Sequence, residues 1–273
     1  MRVEHAVPGP ALRPWIDRYW WYRAGPGDLP RLLPGTGAEL WIHWAGGVHL
    51  DDGAGPVPLP AAHLVCLRGA RWEPVSREAG GFVAVRFRAG ALRHFLAPGV
   101  DEVADRVVSA AEVWGPWARR TAEQVCLASG PAEQAAVLDR ALAELLAAHH
   151  RADPWLDAAV RLVHRRPGEV RVDALAEHLG VTVRRLQRAF PAAVGAGPKA
   201  FQRVARFQRL TRALLLSGER RYLPRALEAG YYDQAHVVRE FRHFTGRPPM
   251  ALLGQGLSHF YYERLPAPRQ AGP

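Results

Sequence analysis

The chain has 273 residues, 48% of them hydrophobic, which is enough for two folded domains with their own cores. No apolar run is long enough to span a bilayer, and the opening MRVEHAVPGP has no secretory-type apolar stretch, so a cytoplasmic protein with no membrane partner is expected. The formal charge of +10 is lopsided: from Val160 onward 20 Lys or Arg face 8 Asp or Glu, a net of +12, while the first 159 residues hold 16 basic and 18 acidic side chains, a net of −2. That excess suits a polyanionic partner for the C-terminal part.

From Met1 to about Gly99 the pattern is mostly β. Glu39 to Trp44, His63 to Leu67 and Phe82 to Arg88 alternate or are rich in Val and aromatics. Gly/Pro turns are expected at Pro34-Gly35, Gly46-Gly47, Gly53 to Pro56 and Gly80-Gly81. Short strands so spaced suggest a small sandwich or barrel. Leu12 to Arg23 reads either way, with Trp15, Tyr19 and Tyr22 at helical spacing and Trp20-Trp21-Tyr22 fit to start a strand.

Along β alternation, Glu39, Trp41 and His43 share one face and Leu40, Ile42 and Trp44 the other. The first set could line an effector pocket with Arg86, which needs an acidic partner such as Glu39 or an anionic ligand. The alternative is that the aromatic residues simply fill the core. His43, His49, His63 and Cys66 lack the tight His-x-His with a following Glu of a cupin metal site, so no metal and no cofactor is expected. Cys66 and Cys126 make neither a zinc knuckle nor a disulfide framework and read as small buried hydrophobes.

From Asp101 to His150 the period turns helical. Pro131 suits a first helical turn, and Ala136, Val137, Leu138, Leu142, Leu145 and Leu146 form an apolar stripe, to pack internally or against a second subunit. Arg151 to Pro154 reads as a hinge.

Beyond it lie two helix-turn-helix patterns. In VDALAEHLGVTVRRLQRAF, Asp173 and Thr182 are expected caps around a turn at Gly180. Leu186 and Phe190 should face inward, leaving Arg184, Gln187 and Arg188 outward, where Arg suits guanine and Gln adenine. In YLPRALEAGYYDQAHVVREFRHFTGRPP, an apolar helix (Leu223, Ala226, Leu227) stops at Gly230 and Asp233 caps a second helix. Val237, Phe241 and Phe244 should face inward. Gln234, Ala235, Val238, Arg239 and Arg242 are the candidate DNA-contacting residues of this unit. His236 suits packing or a phosphate better than a base. Between the units, Phe201, Val204, Phe207, Leu210 and Leu214 mark a connecting helix of about Pro198 to Ser217, with Arg203, Arg206 and Arg209 as phosphate or solvent contacts. Lys199 is the only lysine.

This C-terminal third resembles the AraC/XylS-type transcriptional regulators. The second unit matches their motif through Gly230, Tyr231, Asp233, Ala235, His236, Val237, Arg239, Phe241, Arg242, Gly246 and Pro249. The first matches through Leu175, Ala176, Leu179, Gly180, Val181, Arg184, Leu186, Arg188, Phe190, Gly195, Pro198 and Lys199. Val237 replaces a usual aromatic, and Arg225-Ala226 a usual Ile-Ala; both are changes of size at packing positions. LLPGTGAELWIH, VAVRFRAGALRHFL and DRVVSAAEVWG resemble, more weakly, the cupin-like sensor domain of one AraC subgroup. The resemblance makes Arg184, Gln187 and Arg188 the usual base readers and Arg239 a backbone or base contact.

The resulting expectation is a two-domain α+β protein. Residues 1–100 form a small β-barrel or cupin-like effector domain with helices. Residues 101–152 form a helical linker or dimerisation segment, 153–255 an all-α double helix-turn-helix domain, and 256–273 a tail in which Phe260 and Tyr261 pack back. The expected partners are double-stranded operator DNA, a small-molecule effector, RNA polymerase and a second copy in a homodimer. No G-x-S-x-G, P-loop or G-x-G-x-x-G motif points to an enzyme. Two alternatives stand: a ligand-independent DNA binder whose N-terminal half only dimerises, and a cupin-like enzyme fused to a DNA-binding domain.

Overall fold

The computed structural model describes residues 2–25, 33–51, 55–69, 73–75, 78–97, 99–217 and 221–253. The expected packing of Phe260 and Tyr261, and Gly53 of one expected turn, lie outside them. The strands are β1 (Arg2–Ala6), β2 (Ile16–Ala24), β3 (Gly35–Ala45), β4 (His49–Asp51), β5 (Pro56–Pro58), β6 (Ala62–Arg68), β7 (Glu73–Val75), β8 (Gly80–Phe87) and β9 (Val107–Ser109). They make a six-stranded antiparallel sheet, ordered β1-β2-β8-β3-β6-β9, and a three-stranded sheet, β5-β4-β7.

The ambiguous Leu12–Arg23 segment is thus mainly strand, because its aromatic residues serve both faces of the sheet. Gly80-Gly81 is no turn either but the start of β8. A Cβ on Gly81 would strike the Trp44 indole at 2.6 Å, so the bare backbone lets that ring lie flat on the strand.

One face of the large sheet carries Tyr19, Trp21, Leu40, Ile42, Leu64, Cys66, Val83 and Val85, all buried in one core. Three helices cover it: α1 (Ala110–Trp114), α2 (Pro116–Leu127) and α3 (Pro131–His149). Val137, Leu138, Leu142 and Leu145 point into that core, so the stripe on α3 packs within the chain; Ala136 is exposed. Two polar bonds fix the seat. The Trp21 indole donates to Gln134 at 2.5 Å and the Tyr19 hydroxyl donates to Asp139 at 2.7 Å, satisfying groups that would otherwise be desolvated without partners. Cys66 is buried as expected, but Cys126 is exposed on α2.

The helical half contains α4 (Pro154–Arg165), α5 (Val172–His178), α6 (Val183–Val194), α7 (Pro198–Ser217), α8 (Leu223–Glu228), α9 (Gln234–Thr245) and α10 (Pro249–Leu253). The expected boundaries at residues 100 and 152 are not clean breaks. Strand β9 pairs with β6 beyond residue 100. Leu156, Val160 and Val163 of α4 and Leu186 and Phe190 of α6 share one core with Phe95, Leu96, Val100 and Val103. The supposed hinge is also tied down, because Arg151 donates to the Leu96 and Ala97 carbonyls. A second core gathers Trp20, Tyr22, Trp41 and Phe82 from the other sheet face with Phe207, Leu210, Phe241 and Phe244 from α7 and α9. No helix among the described residues is long and apolar enough to cross a membrane.

Candidate nucleic-acid interface and interdomain cleft

The first unit is α5, a turn at Gly180 and α6. Gly180 has φ +65°, a left-handed conformation that glycine adopts without cost. Thr182 caps α6 as expected, accepting from the Arg185 amide at 3.1 Å. Asp173 does not cap α5. Arg171 holds the cap position, and Asp173 lies inside the first turn, where its carboxylate accepts from Arg171 and from the Ala174 amide. The Arg171 hydrogen bond, with that amide, pulls its pKa down to about 2. Leu186 and Phe190 are fully buried, and Arg184, Gln187 and Arg188 are all exposed on the opposite side. Their neighbour Arg185 turns away, its guanidinium 4.9 Å from the centre of the Trp155 ring on α4.

The second unit repeats the plan. Asp233 caps α9 by accepting from the His236 amide at 2.7 Å. Val237, Phe241 and Phe244 are buried; Gln234, Ala235, Arg239 and Arg242 are exposed, and Val238 is half-buried. His236 sits between Tyr231 and Tyr232, 5.0 and 5.7 Å from their ring centres, which is a packing position. Burial, with Arg206 beside it, holds its pKa below the usual histidine value. On α8 only Ala226 is buried. Leu223 and Leu227, expected to be its inner face, are 38% and 51% exposed, because so short a helix meets its partners along a single line.

The connecting helix α7 buries Phe201, Val204, Phe207, Leu210 and Leu214 as expected. Its arginines are not simply solvated. Arg203 donates to Glu240 of α9 at 2.7 Å and Arg206 pairs with the same carboxylate at 3.3 Å. Arg206 also stands 4.9 Å from the Tyr231 ring centre. Glu240, 5% exposed, is therefore a lock between connector and recognition helix that sequence reasoning missed. One signal was present: it is the only acidic residue in the α9 sequence QAHVVREFRHFT.

In the sheet domain the four expected ligand residues, Glu39, Trp41, His43 and Arg86, do share one face. The cross-strand register sets Glu39 against Arg86, Trp41 against Ala84 and His43 against Phe82. Their surroundings then divide them. Arg86 donates to Glu39 at 2.7 Å and the Trp41 indole donates to Glu39 at 3.0 Å, so the half-buried Arg has its acid within the protein. Trp41 and His43 lie deeper, in an aromatic stack: Trp41 to Phe82 is 4.1 Å, Trp20 to Trp41 5.6 Å and His43 to His63 5.1 Å between ring centres. Both ring nitrogens of His43 are buried without a hydrogen-bond partner. Burial holds its pKa near 3, with His63 adding repulsion, and burial holds His63 near 4 against the pull of the Pro60 carbonyl. Both rings are neutral at pH 7. Among the described residues no three His, Cys, Asp or Glu side chains converge as metal ligands.

The end of this face opens into a cleft of about 930 Å³ between the sheet domain and helices α4 and α7. Sequence reasoning did not foresee it. Seven arginines line it (Arg18, Arg86, Arg88, Arg161, Arg165, Arg209 and Arg212), against three acids (Asp17, Glu39 and Asp157). Each acid is already engaged: Asp17 by Arg18 at 2.8 Å, Glu39 by Arg86, and Asp157 by Arg93 at 2.7 Å and His94 at 3.2 Å. Arg161 and Arg165 stand four apart on one side of α4 and have no carboxylate partner among the described residues. Thr36 bonds to Gln208 at 2.8 Å and anchors α7 across the cleft. The cleft is thus a positively charged cavity of ligand size with one wall from each domain.

A sheet domain joined to two capped helix-turn-helix units defines a DNA-binding transcription regulator. Residues 175–255 match the family described as "Helix-turn-helix domain", and residues 4–109 match "Domain of unknown function (DUF6597)". With the residues of the AraC/XylS resemblance lying along α5 to α10, the chain carries a double helix-turn-helix domain. It is similar in fold to ToxT from Vibrio cholerae, with 11% identity over 86% of this chain and 97% of that one at a TM-score of 0.51. A second ToxT structure, from Vibrio cholerae O395 and bound to (E)-4-(8-methylnaphthalen-1-yl)but-3-enoic acid, aligns at 12% identity over 86% and 97% of the two chains with a TM-score of 0.50. A comparison with curated proteins finds no match.

Proposed function

We propose that this regulator reads a specific DNA sequence with α6 and α9 and is controlled by an organic anion held in the interdomain cleft. The observation that carries the first part is the paired geometry of the two units. In each, a side-chain cap starts the recognition helix, apolar residues turn inward, and long polar residues stand free on the far side: Arg184, Gln187 and Arg188 on α6, and Gln234, Arg239 and Arg242 on α9. Arg and Gln at those positions are long enough to form bidentate bonds with guanine and adenine edges. Ala235 and Val238 offer methyl contacts only, so α6 is the more discriminating helix. The test is affinity for a duplex selected by the chain against a shuffled one, with Arg184→Ala expected to reduce only the first.

The second part rests on the cleft. Seven arginines against three engaged acids favour an anionic ligand, and the similar ToxT structure carries an aryl-substituted carboxylic acid. Arg161 and Arg165 on α4 and Arg209 and Arg212 on α7 supply the cationic wall, and Glu39 with Arg86 closes its sheet-domain end. A ligand bridging the walls would stabilise one arrangement of the recognition helices relative to the sheet domain, which is how binding at one site biases another. Titration with arylalkanoic and fatty acids, reading Trp fluorescence and DNA affinity together, tests it. Arg161→Ala with Arg165→Ala should abolish both responses. Unchanged responses in that variant would place the ligand outside this cleft, and a parent that responds to none of these acids would favour the ligand-independent alternative.

A further inference from the structure

The loop that leads into the first helix-turn-helix unit touches the second unit directly, backbone to backbone, beside the link made by α7. Gly168 lies in the loop of residues 166–171 that leads into α5, and Gly230, with φ +90°, is the turn residue of the second unit. A Cβ on Gly168 would overlap the Gly230 Cα and stand 3.0 Å from the Ala229 carbonyl oxygen and 3.2 Å from the Gly230 nitrogen. A Cβ on Gly230 would in turn overlap the Gly168 Cα and come within 3.3 Å of its carbonyl carbon. All of these are backbone atoms, which cannot swing aside as the end of a side chain does. Gly168 lies outside the left-handed region, so alanine there would fill space without straining its own backbone.

Helix α7 clamps both sides of this contact. Gln202 donates to the Val170 carbonyl at 2.5 Å and Arg209 donates to the Arg165 carbonyl at 3.1 Å, one on each side of Gly168. Arg206 donates to the Gly230 carbonyl at 3.4 Å on the side of the turn. Asp233, which caps α9, follows three residues after Gly230, so any displacement of the turn is passed to the start of that helix.

We propose that the Gly168–Gly230 contact positions the two recognition helices relative to each other and so sets the number of base pairs between the two blocks of sequence that the chain reads. This inference rests on the reading that both α6 and α9 enter DNA. The major groove recurs about every 34 Å along the duplex, and base-edge contacts tolerate only about half an ångström of misplacement. A methyl group wedged between loop and turn therefore acts on the register of α9 against α6 and on neither helix alone.

The probe is a duplex library with two randomised blocks separated by spacers of different fixed lengths, selected with the full chain, with Gly168→Ala and with Gln202→Leu. Gln202→Leu releases the same loop without adding bulk. The parent should enrich two blocks at one spacer length. Both variants should enrich the same blocks with the spacer optimum moved or broadened, and should bind the parent's duplex about ten-fold more weakly. Duplexes holding a single block should bind all three proteins alike. Unchanged spacing and affinity in Gly168→Ala would overturn the proposal. So would an equal loss on single-block duplexes, since Gly168 would then serve only the folding of the first unit. A parent that enriches one block alone would defeat the two-helix reading itself, and the inference with it.

Discussion

Arg93 donates to Asp157 Oδ1 at 2.7 Å across the seam between the sheet domain and α4. His94 reaches the same oxygen at 3.2 Å, and both donors are buried. This junction borders the cleft and continues the core shared by Phe95, Leu156 and Phe190. The seam is therefore built into the fold and is not a flexible tether, which makes it a path by which the sheet domain and the first helix-turn-helix unit influence each other.

Asp157→Asn should loosen this seam at a cost of about 1.5–3 kcal/mol, the range for hydrogen bonds to charged groups. Burial alone would raise the Asp157 pKa, but hydrogen bonds from His94 and Arg93 outweigh it and hold the carboxyl below its usual 3.8. A depressed acid pKa gives stability that is present above the unfolded value and lost as pH falls through the folded one. Melting curves should therefore show Asp157→Asn less stable than the parent at pH 7, with the difference closing below about pH 3.8. A difference independent of pH would mean that the carboxylate charge plays no part.

A separate acid sensitivity follows from His43 and His63. Their folded pKa values, near 3 and 4, lie below the usual 6.5, so between those limits the unfolded chain binds more protons than the folded one. Stability should rise with pH through that window and level off above about 6.5. His43→Phe keeps an aromatic ring in the stack and should flatten the rise between pH 4 and 6.5. An unaltered slope would place the proton uptake elsewhere, for example at His5, whose pKa burial and Arg18 lower to about 4.

Glu39, 1% exposed, faces Arg86 inside the sheet domain. Arg86→Ala removes the cation opposite a buried carboxylate and should cost about 3–5 kcal/mol, whereas Arg86→Met with Glu39→Gln should recover most of it. Chemical denaturation of the single and double variants gives the coupling directly. A single variant as stable as the parent would show that solvent from the cleft already screens the pair.

The parts of this fold legible in the sequence are those written in local pattern. Glycine turns at Gly180 and Gly230, caps at Thr182 and Asp233, and the inward run Val237, Phe241, Phe244 specify the helix-turn-helix units, because each signal lies within a few residues of the feature it sets. Strand alternation likewise put Glu39, Trp41 and His43 on one face of their strand and Arg86 with Phe82 and Ala84 on one face of another. Alternation could not show that Arg86 would meet Glu39 while Trp41 and His43 stacked on Phe82 and His63, since that depends on register between distant strands. The cleft was illegible for the same reason: its arginines come from β2, β8, α4 and α7 and its neighbourhood, and only the tertiary fold brings them together. Asp173 misled because an acid beside a helix start serves equally as a cap or as a first-turn residue paired with Arg171.

The salt response separates the roles of the basic residues on α6 and α9. Log affinity of the full chain for a shuffled duplex should fall steeply with log salt, as counterions are released from phosphates contacted by the +12 half. Arg242→Ala should make that slope shallower by about one if the side chain meets a phosphate. The intact chain is the right material, because removing the sheet domain would expose Leu156, Val160 and Phe190. A slope unchanged in Arg242→Ala would remove that residue from the phosphate contacts.

The central claim is base reading by the exposed face of α6, and the most direct measurement is the affinity ratio between a selected duplex and its shuffled counterpart at one fixed salt concentration. Arg184→Ala and Gln187→Ala should each cost about 1–3 kcal/mol on the selected duplex and almost nothing on the shuffled one, so the ratio collapses. Equal losses on both duplexes, or no loss on either, would contradict the account, because α6 would then touch only the DNA backbone or lie outside the groove.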